Sequence, residues 1–191
     1  MTPNHSYLVL DLETQKLLFE VGGKENIGKL GISVAGIFTS HDQRYFCLRE
    51  EKIKDIIPLL SNVDRIVGFN TDGFDFDVLQ PYIPEINTKK LPSLDILTEI
   101  YKITGHRVSL SKVAQATLNM GKGGDGLMAV KWYHEGNFAD LEKYCLQDVE
   151  VTHKLYLYGL EHGELKFPTK DGLDIVTIKV DFHFEKELTL F

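Results

Sequence analysis

The length, composition and charge of the chain exclude several classes of protein before any motif is considered. With 191 residues, 43% of them hydrophobic and 26% charged, it has the size and composition of one globular domain with a substantial core. No apolar run approaches the ~20 residues of a membrane-spanning helix and no signal peptide is evident, so we expect a cytoplasmic protein without membrane contact. Cys47 and Cys145 have no metal-ligand spacing and are expected to be free thiols. The formal net charge of -7 disfavours nucleic-acid binding by broad phosphate neutralisation, but it is compatible with carboxylates that bind cations.

The first half of the chain is predicted to form strands, with one amphipathic helix among them. Residues 7–12 are almost continuously apolar, as expected for a central strand that is buried on both faces. Further strands are predicted at residues 30–39, 44–48 and 65–69. Residues 51–60 have the spacing of a helix whose apolar side chains share one face.

The second half is predicted to be mostly helical. Helices are expected at residues 73–82, 94–103, 109–118 and 138–158. Ser109 is expected to begin the third of these, and the last is expected to be capped by Asn137 and ended by Gly159. Residues 164–184 have the pattern of a hairpin that turns at residues 169–172. The order of elements predicts an α/β fold, in which a mixed central sheet is flanked by helices over residues 1–163 and a C-terminal β-hairpin extension, residues 164–191, packs on the same domain.

Three separate segments place acidic residues on faces that the apolar pattern predicts to be buried. Asp11 and Glu13 point to one face at the end of the first strand, because side chains alternate along a strand. Asp148 falls within the mostly apolar stripe of the last helix, one turn after Tyr144. Asp75 lies on the apolar face of its own helix. A buried carboxylate must be paired, hydrogen-bonded or bound to a metal.

Each acid has a simpler explanation when it is considered alone. Asp11 is solvated if the first strand ends there, Asp75 is stabilised by the helix dipole, and Asp148 can accept a structural hydrogen bond. Four inward acids from three segments favour a shared site instead, because Mg²⁺ and Mn²⁺ prefer carboxylate and water oxygens. Two such ions about 3.5–4 Å apart can hold the attacking water and the leaving oxygen in phosphodiester cleavage.

The acids fall in three ordered motifs. Asp11-Leu12-Glu13 ends the first strand, Asn70 is followed by Phe74-Asp75, and Tyr144 precedes Asp148 by four residues. In this order, and with tyrosine in the third motif, they resemble the DEDDy 3′–5′ exonucleases of the ribonuclease H-like (DnaQ-like) superfamily. The third motif is close to that of the proofreading domains of B-type DNA polymerases. The resemblance covers residues 7–160 and implies a ribonuclease H-like sheet.

The resemblance also implies a role for each acid. Asp11, Glu13 and Asp148 would hold one divalent cation, Mg²⁺ or Mn²⁺, and Asp11 would share a second with Asp75. Tyr144 would orient the attacking water, since a phenol is a weak base at neutral pH.

Four residues are predicted to contact substrate, and two of them, Phe74 and Lys122, have an alternative. Thr14 and Asn70 belong to the first and second motifs and are expected near the terminal nucleotide. Phe74 is available for base stacking, but as a phenylalanine it equally suits the core. Lys122 lies in a glycine-rich loop similar to one in helicase-associated ribonuclease H-like exonuclease domains, where it would meet a phosphate or be solvated. His153, on the last helix, is expected to be exposed.

The function implied is a metal-dependent 3′–5′ exonuclease that releases nucleoside monophosphates from single-stranded ends, with DNA favoured over RNA and a role in DNA repair. A helicase or polymerase supplied by another chain is an expected partner. One alternative is an exoribonuclease on short RNA, since the metal chemistry ignores the sugar unless the 2′-OH is recognised. The other is a catalytically idle domain that binds nucleic acid or a protein partner.

Overall fold

Five strands of the computed structural model form one sheet, within the residues that it describes, 5–121 and 126–184. The strands are β1 (Tyr7–Thr14), β2 (Ile32–Thr39), β3 (Arg44–Arg49), β4 (Arg65–Gly68) and β5 (Ser93–Asp95). Their order is β3-β2-β1-β4-β5. The sheet is mixed, as predicted, because β1 pairs antiparallel with β2 and parallel with β4.

Helices cover both faces of this sheet. They are α1 (Ile57–Ser61), α2 (Asp75–Leu79), α3 (Ile96–Thr104), α4 (Leu110–Leu118), α5 (Gly126–His134) and α6 (Phe138–His162). Short 3-10 segments occur at Leu18–Val21, Lys24–Lys29, Glu50–Ile56, Gln80–Tyr82 and Thr88–Lys90. In the described part of the chain, no helix is both long and apolar enough to cross a membrane.

Strand β1 is buried on both faces, as its apolar sequence predicts, and its alternation decides where its acids point. Leu8 and Leu10 pack with residues of α2 in one core cluster, whereas Tyr7 and Val9 pack with α6 in another. Odd-numbered side chains of β1 therefore face α6. Asp11 and Glu13 have the same parity, so they point to the face of the sheet that α6 covers.

The predicted C-terminal hairpin is confirmed. It consists of β6 (Glu164–Pro168) and β7 (Ile175–Lys179), which pair antiparallel. Leu165 and Phe167 are buried in the same core cluster as residues of α6. The Thr117 hydroxyl of α4 donates to the Lys166 carbonyl (2.8 Å) and accepts from the Lys166 N–H (2.9 Å). These contacts attach the hairpin to the helical face of the sheet.

Two predicted helices are shorter or more irregular than expected, and prolines explain both. Residues 51–60 begin as a 3-10 segment, and α1 starts only at Ile57, with Pro58 in its first turn. Residues 73–82 divide in the same way, because Pro81 lies in the first turn of the 3-10 segment that follows α2. Proline lacks an N–H and is tolerated in a first turn but not in a helix interior.

The boundaries of two further elements were predicted wrongly. The helix expected at residues 94–103 starts at Ile96, because Ser93–Asp95 forms the edge strand β5. Helix α6 does not end at Gly159 but continues to His162, with Gly163 as its left-handed C-cap (φ +62°). Inside the helix, the missing side chain of Gly159 makes room for the Phe182 ring, which lies 2.4 Å from where a Cβ would stand. The expected cap of α6 is confirmed, because the Asn137 side chain accepts from the Asp140 N–H. Ser109 precedes α4 as expected, but its side chain makes no capping hydrogen bond.

The prediction that His153 is exposed is wrong. The ring is buried and stacks on Phe38, with 3.9 Å between ring centroids. Its Nε2 is hydrogen-bonded to the Tyr7 hydroxyl (2.8 Å) and its Nδ1 to the Tyr45 hydroxyl (2.6 Å). Burial disfavours the charged ring and lowers the pKa of His153 to about 4. The two tyrosines therefore hold a neutral imidazole in the core.

Candidate metal centre and active site

Three of the predicted acids meet where the end of β1 faces α6. One carboxylate oxygen each of Asp11, Glu13 and Asp148 lies within 4.8 Å of the others. The three side chains are half-buried, so the cluster is open to solvent on one side. The sequence pattern predicted this arrangement, because strand alternation aligns the first two acids and helical spacing directs the third inward.

The close approach of α6 to the sheet depends on a glycine. Gly36 of β2 pairs with Asp11 across the strands. A Cβ at Gly36 would stand 2.7 Å from the Sγ of Cys145 and 2.8 Å from Cγ2 of Val149, both on α6. These separations are shorter than van der Waals contact, so any larger residue at this position would push the helix away from the sheet. Gly36 thereby allows Asp148 to reach the carboxylates of β1.

The acids of the cluster hold protons more tightly than ordinary carboxyl groups. Burial, followed by the charges of neighbouring carboxylates, raises the pKa of Asp11 and of Glu13 well above their usual range. Burial raises the pKa of Asp148 to about 6, although a hydrogen bond from Tyr144 opposes the rise. Like charges at this separation repel, and a divalent cation between them removes the repulsion.

Asp75, the acid of the second motif, lies beside the cluster in a more enclosed position. It is only 4% exposed, and its Oδ1 accepts a hydrogen bond from the Leu12 N–H (2.8 Å). Burial raises the pKa of Asp75 to about 7. Its charge in turn raises the pKa of both Asp11 and Glu13. It is not one of the three acids whose oxygens lie within 4.8 Å of one another.

Tyr144 lies at the edge of the cluster, one turn before Asp148 on α6. Its hydroxyl is hydrogen-bonded to the Asp148 carboxylate, and its ring makes an edge contact with Trp132 of α5, with 6.0 Å between centroids. Burial, together with the nearby carboxylates, raises the pKa of Tyr144 above its usual value. The phenol is therefore neutral at physiological pH and can donate or accept a hydrogen bond, but it does not supply a phenolate.

Both cysteines are free thiols, as predicted, with Cys145 buried and Cys47 half-buried. The Cys145 thiol donates to the backbone carbonyl of Asp11 (3.6 Å) and to its carboxylate (3.7 Å). The Cys145 side chain therefore contacts Asp11 from α6 and helps to hold it in position.

Asp95 is a residue that the sequence interpretation did not single out. Its carboxylate caps α3 by accepting from the N–H of Leu97, and it also accepts from the N–H of Asn70 (2.7 Å) and of Asp72 (3.2 Å). It thus fixes the loop from residue 70 to residue 74, which leads into Asp75. Its capping role has a sequence signal, since an aspartate directly precedes an amphipathic helix. Its contact with the loop has none, because it depends on β4 and β5 lying side by side.

The residues predicted to contact substrate occupy different environments. The Thr14 hydroxyl donates to the Lys16 carbonyl (2.9 Å), so it is used in a local turn. Asn70 is half-buried and has a left-handed backbone (φ +72°). Phe74 is half-buried and packs against the core cluster that contains α2. Lys122 lies outside the described residues. Their contacts with substrate stay predictions.

The donor set suits a hard divalent cation. Its ligand atoms are carboxylate oxygens from β1 and α6, and burial raises the pKa of each carboxyl group. Ions such as Mg²⁺ and Mn²⁺ bind such oxygens together with water, whereas sulfur and nitrogen donors are preferred by softer metals. The half-open cluster leaves room for water or a substrate oxygen as further ligands.

Solved structures with the same fold include two enzymes. The structure of the family B DNA polymerase from the hyperthermophilic archaeon Pyrobaculum calidifontis matches with a TM-score of 0.64 and 17% identity, over 84% of this chain and 25% of the polymerase chain. The crystal structure of Trypanosoma brucei RNase D matches with a TM-score of 0.59 and 17% identity, over 81% of this chain and 57% of that chain. This chain therefore spans less than two thirds of either protein, and likeness at this identity concerns the fold.

Sequence comparison assigns the family. No curated protein matches the sequence significantly. The family model of the RNase H superfamily matches residues 8–158, which include every acid of the cluster. The mixed five-stranded sheet with helices on both faces is the ribonuclease H-like fold that the motifs implied. The chain belongs to the RNase H superfamily.

Proposed function

We propose that this protein is a metal-dependent 3′–5′ exonuclease that hydrolyses the terminal phosphodiester bond of single-stranded nucleic acid, with DNA favoured, and releases nucleoside monophosphates. The observation that carries the proposal is the meeting of Asp11, Glu13 and Asp148 within 4.8 Å, with Tyr144 hydrogen-bonded to Asp148. The names of the two structural neighbours, a DNA polymerase and an RNase, support a nucleic-acid substrate.

The residues of the site have separable roles in this reaction. Asp11, Glu13 and Asp148 would hold one divalent cation, and Asp75 would share a second with Asp11. When bound, such cations activate water and neutralise the charge that develops on the phosphate. The neutral Tyr144 hydroxyl orients the attacking water, since its oxygen can accept a hydrogen bond while its proton is held by Asp148. Asp95 keeps the loop before Asp75 in place.

An exoribonuclease is the second candidate, and the fold of Trypanosoma brucei RNase D favours it. The carboxylates contact phosphate oxygens and do not distinguish ribose from deoxyribose, which requires recognition of the 2′-OH. We further propose that a helicase or polymerase supplied by another chain works with this domain, in DNA repair.

The proposal is tested with single-stranded DNA and RNA oligonucleotides labelled at the 5′ end, with Mg²⁺, Mn²⁺ or EDTA. A ladder of labelled products that shortens from the 3′ end is expected with metal and is not expected with EDTA. A terminal 3′ phosphorothioate linkage should block the ladder, whereas the same linkage at the 5′ end should not. Equal digestion of both blocked substrates would contradict the 3′–5′ polarity, and the rate on each sugar decides between the two candidates.

The idle-domain alternative is separated by a measurement that does not depend on the substrate. A ligand that binds only the folded state stabilises it, by about 2.7 kcal/mol at a hundred times its Kd. We expect Mn²⁺ to raise the unfolding temperature relative to EDTA. The absence of any rise would contradict a metal-dependent enzyme and favour a binding domain.

A further inference from the structure

Arg107 carries an unpaired positive charge next to the second motif. It lies in the loop between α3 and α4, and its guanidinium Nη2 donates a hydrogen bond to Oδ1 of Asn70 (2.5 Å). The side chain is exposed. No carboxylate oxygen among the described residues lies within 4.0 Å of it.

Lys89, in the 3-10 segment Thr88–Lys90, contacts the loop from residue 70 to residue 74 as well and provides a contrast. Its Nζ donates to the backbone carbonyl of Asp72 (2.6 Å), so it too holds the loop in place. Unlike Arg107, it is paired with a carboxylate, Oδ1 of Asp77, at 2.8 Å. The charge of Lys89 is therefore already balanced, and its role is structural. The charge of Arg107 is available for a ligand.

The position of Arg107 relates it to the carboxylate cluster. Asn70 follows β4, and the last residue of that strand, Gly68, lies against the Leu10 carbonyl, 3.2 Å from where a Cβ would stand. Leu10 directly precedes Asp11. The loop that begins at Asn70 then returns to β1 through the bond between Asp75 and the Leu12 N–H. Arg107 is thus bonded through Asn70 to a segment that contacts β1 just before the loop, at Gly68, and again just after it, at Asp75.

A guanidinium in this position has the chemistry of a phosphate-binding group. It presents five N–H donors in a planar fork, and one of them is used by Asn70 in the described structure. Charge-assisted hydrogen bonds from arginine to phosphate are among the stronger polar contacts of proteins. The phosphates of a single-stranded nucleic acid are repelled by four carboxylates wherever no metal ion lies between them. A guanidinium held near the site would offset this repulsion by attracting a phosphate.

We propose that Arg107 binds a backbone phosphate of the single-stranded substrate outside the carboxylate cluster, while its bond to Asn70 fixes the guanidinium in position. The inference rests on the proposed function and adds to it a substrate-binding residue that no motif contains. The competing explanation is that Arg107 only holds the loop, as Lys89 does.

Three variants separate charge from loop anchoring. Arg107→Gln removes the charge and also the bond to Asn70, because its amide nitrogen is two bonds closer to the backbone than Nη2. Arg107→Lys keeps the charge. Lys89→Ala removes only an anchor of the loop from residue 70 to residue 74, because the charge of Lys89 is already paired, so it measures the effect of loop anchoring alone. Binding of a fluorescent single-stranded DNA is measured by anisotropy with Ca²⁺ at several salt concentrations. Single-strand binding loses about 0.7 of slope, in log K against log salt, for each phosphate contact that is lost.

We expect Arg107→Gln to weaken binding about ten-fold, the lower end of the range for a hydrogen bond to a charged group, and to reduce the salt slope by about 0.7. Arg107→Lys should keep the wild-type slope, and Lys89→Ala should also leave the slope unchanged. In steady-state digestion, Arg107→Gln should raise KM far more than it lowers kcat. Thermal unfolding confirms that each variant is folded.

Two outcomes would overturn the assignment while leaving the proposed function intact. One is an unchanged affinity and salt slope in Arg107→Gln. The other is weakening of similar size in Arg107→Gln and Lys89→Ala with the wild-type slope in both, which would show that Arg107 only supports the loop. A wild-type protein that neither binds nor cleaves single strands would instead contradict the proposed function, and the assignment of Arg107 with it.

Discussion

The carboxylate of Asp75 accepts a 2.8 Å hydrogen bond from the backbone N–H of Leu12, the residue between Asp11 and Glu13. This bond joins the second motif to the first. Strand β4 pairs with β1 only as far as Val9, so the side chain of Asp75 takes the place of a neighbouring strand farther along β1. The same carboxylate is therefore a structural acceptor and a candidate metal ligand.

Two substitutions at Asp75 should separate these roles. Asp75→Asn can still accept from the Leu12 N–H, whereas Asp75→Ala leaves that N–H without a partner in a buried place. We expect the alanine variant to be less stable than the asparagine variant by about 1–3 kcal/mol in urea unfolding. Both should lose nuclease activity by about a hundred-fold or more, because a charge at the site is lost. Equal stability of the two variants, or wild-type activity in the asparagine variant, would contradict the dual role.

The pH dependence of stability without metal should report the raised pKa of Asp75. Its pKa in the folded protein is about 7 against an ordinary 3.8, so between these values the folded state binds more protons than the unfolded state. The free energy of unfolding then falls as pH rises through this window. In EDTA, the wild type should lose stability relative to Asp75→Asn from pH about 4 to about 7, by a few kcal/mol at about 1.4 kcal/mol per pKa unit. A difference that does not vary with pH would contradict the assigned pKa.

Gly36→Ala should disturb the site by displacing α6 from the sheet. The added Cβ would lie 2.7 Å from the Cys145 Sγ, so α6 must move away from β2 and carry Asp148 with it. We expect a loss of about 1–3 kcal/mol in stability, typical of overpacking, together with a smaller rise in unfolding temperature on addition of Mn²⁺. Gly126→Ala is the control, because no atom of the described residues lies within 4 Å of its added Cβ. If Gly36→Ala were as stable as this control, α6 would not depend on the glycine.

Tyr144→Phe should affect catalysis more than folding. The substitution removes the hydroxyl that is hydrogen-bonded to Asp148 but keeps the ring contact with Trp132. We expect kcat to fall about a hundred-fold, the cost of misplacing a reacting group by roughly an ångström, with little change in unfolding temperature. Tyr133→Phe on α5 is the matched control and should keep wild-type kcat. A Tyr144→Phe variant with wild-type kcat would remove Tyr144 from the mechanism.

The sequence predicts the centre of this site well, because two short periods determine it. Alternation along β1 directs Asp11 and Glu13 to one face, and helical spacing on α6 directs Asp148 inward. Both inferences use only neighbours in the sequence. The mixed sheet and the hairpin follow from the same local patterns and were also predicted.

The features that were missed depend on contacts between distant segments. His153 is buried because α6 packs against three strands, β1, β2 and β3. The buried face of α6 is therefore wider than the single apolar stripe that the sequence pattern shows. Gly159 continues the helix because Phe182, from beyond the hairpin, occupies the space of its missing side chain. The three-residue strand β5 is too short to show a period, so its end at Asp95 and the bonds from Asp95 to the second motif are not visible in the sequence.

The most direct test of the central claim is metal-dependent digestion of single-stranded DNA by the wild type and by Asp11→Asn and Asp148→Asn, prepared identically. These substitutions remove one charge each and change the shape of the cluster little. We expect Mn²⁺-dependent release of nucleoside monophosphates from the 3′ end by the wild type, and loss of that release in both variants. Digestion of equal rate in all three proteins, or no digestion of DNA or RNA by a folded wild type that binds Mn²⁺, would contradict a hydrolytic role for this carboxylate cluster.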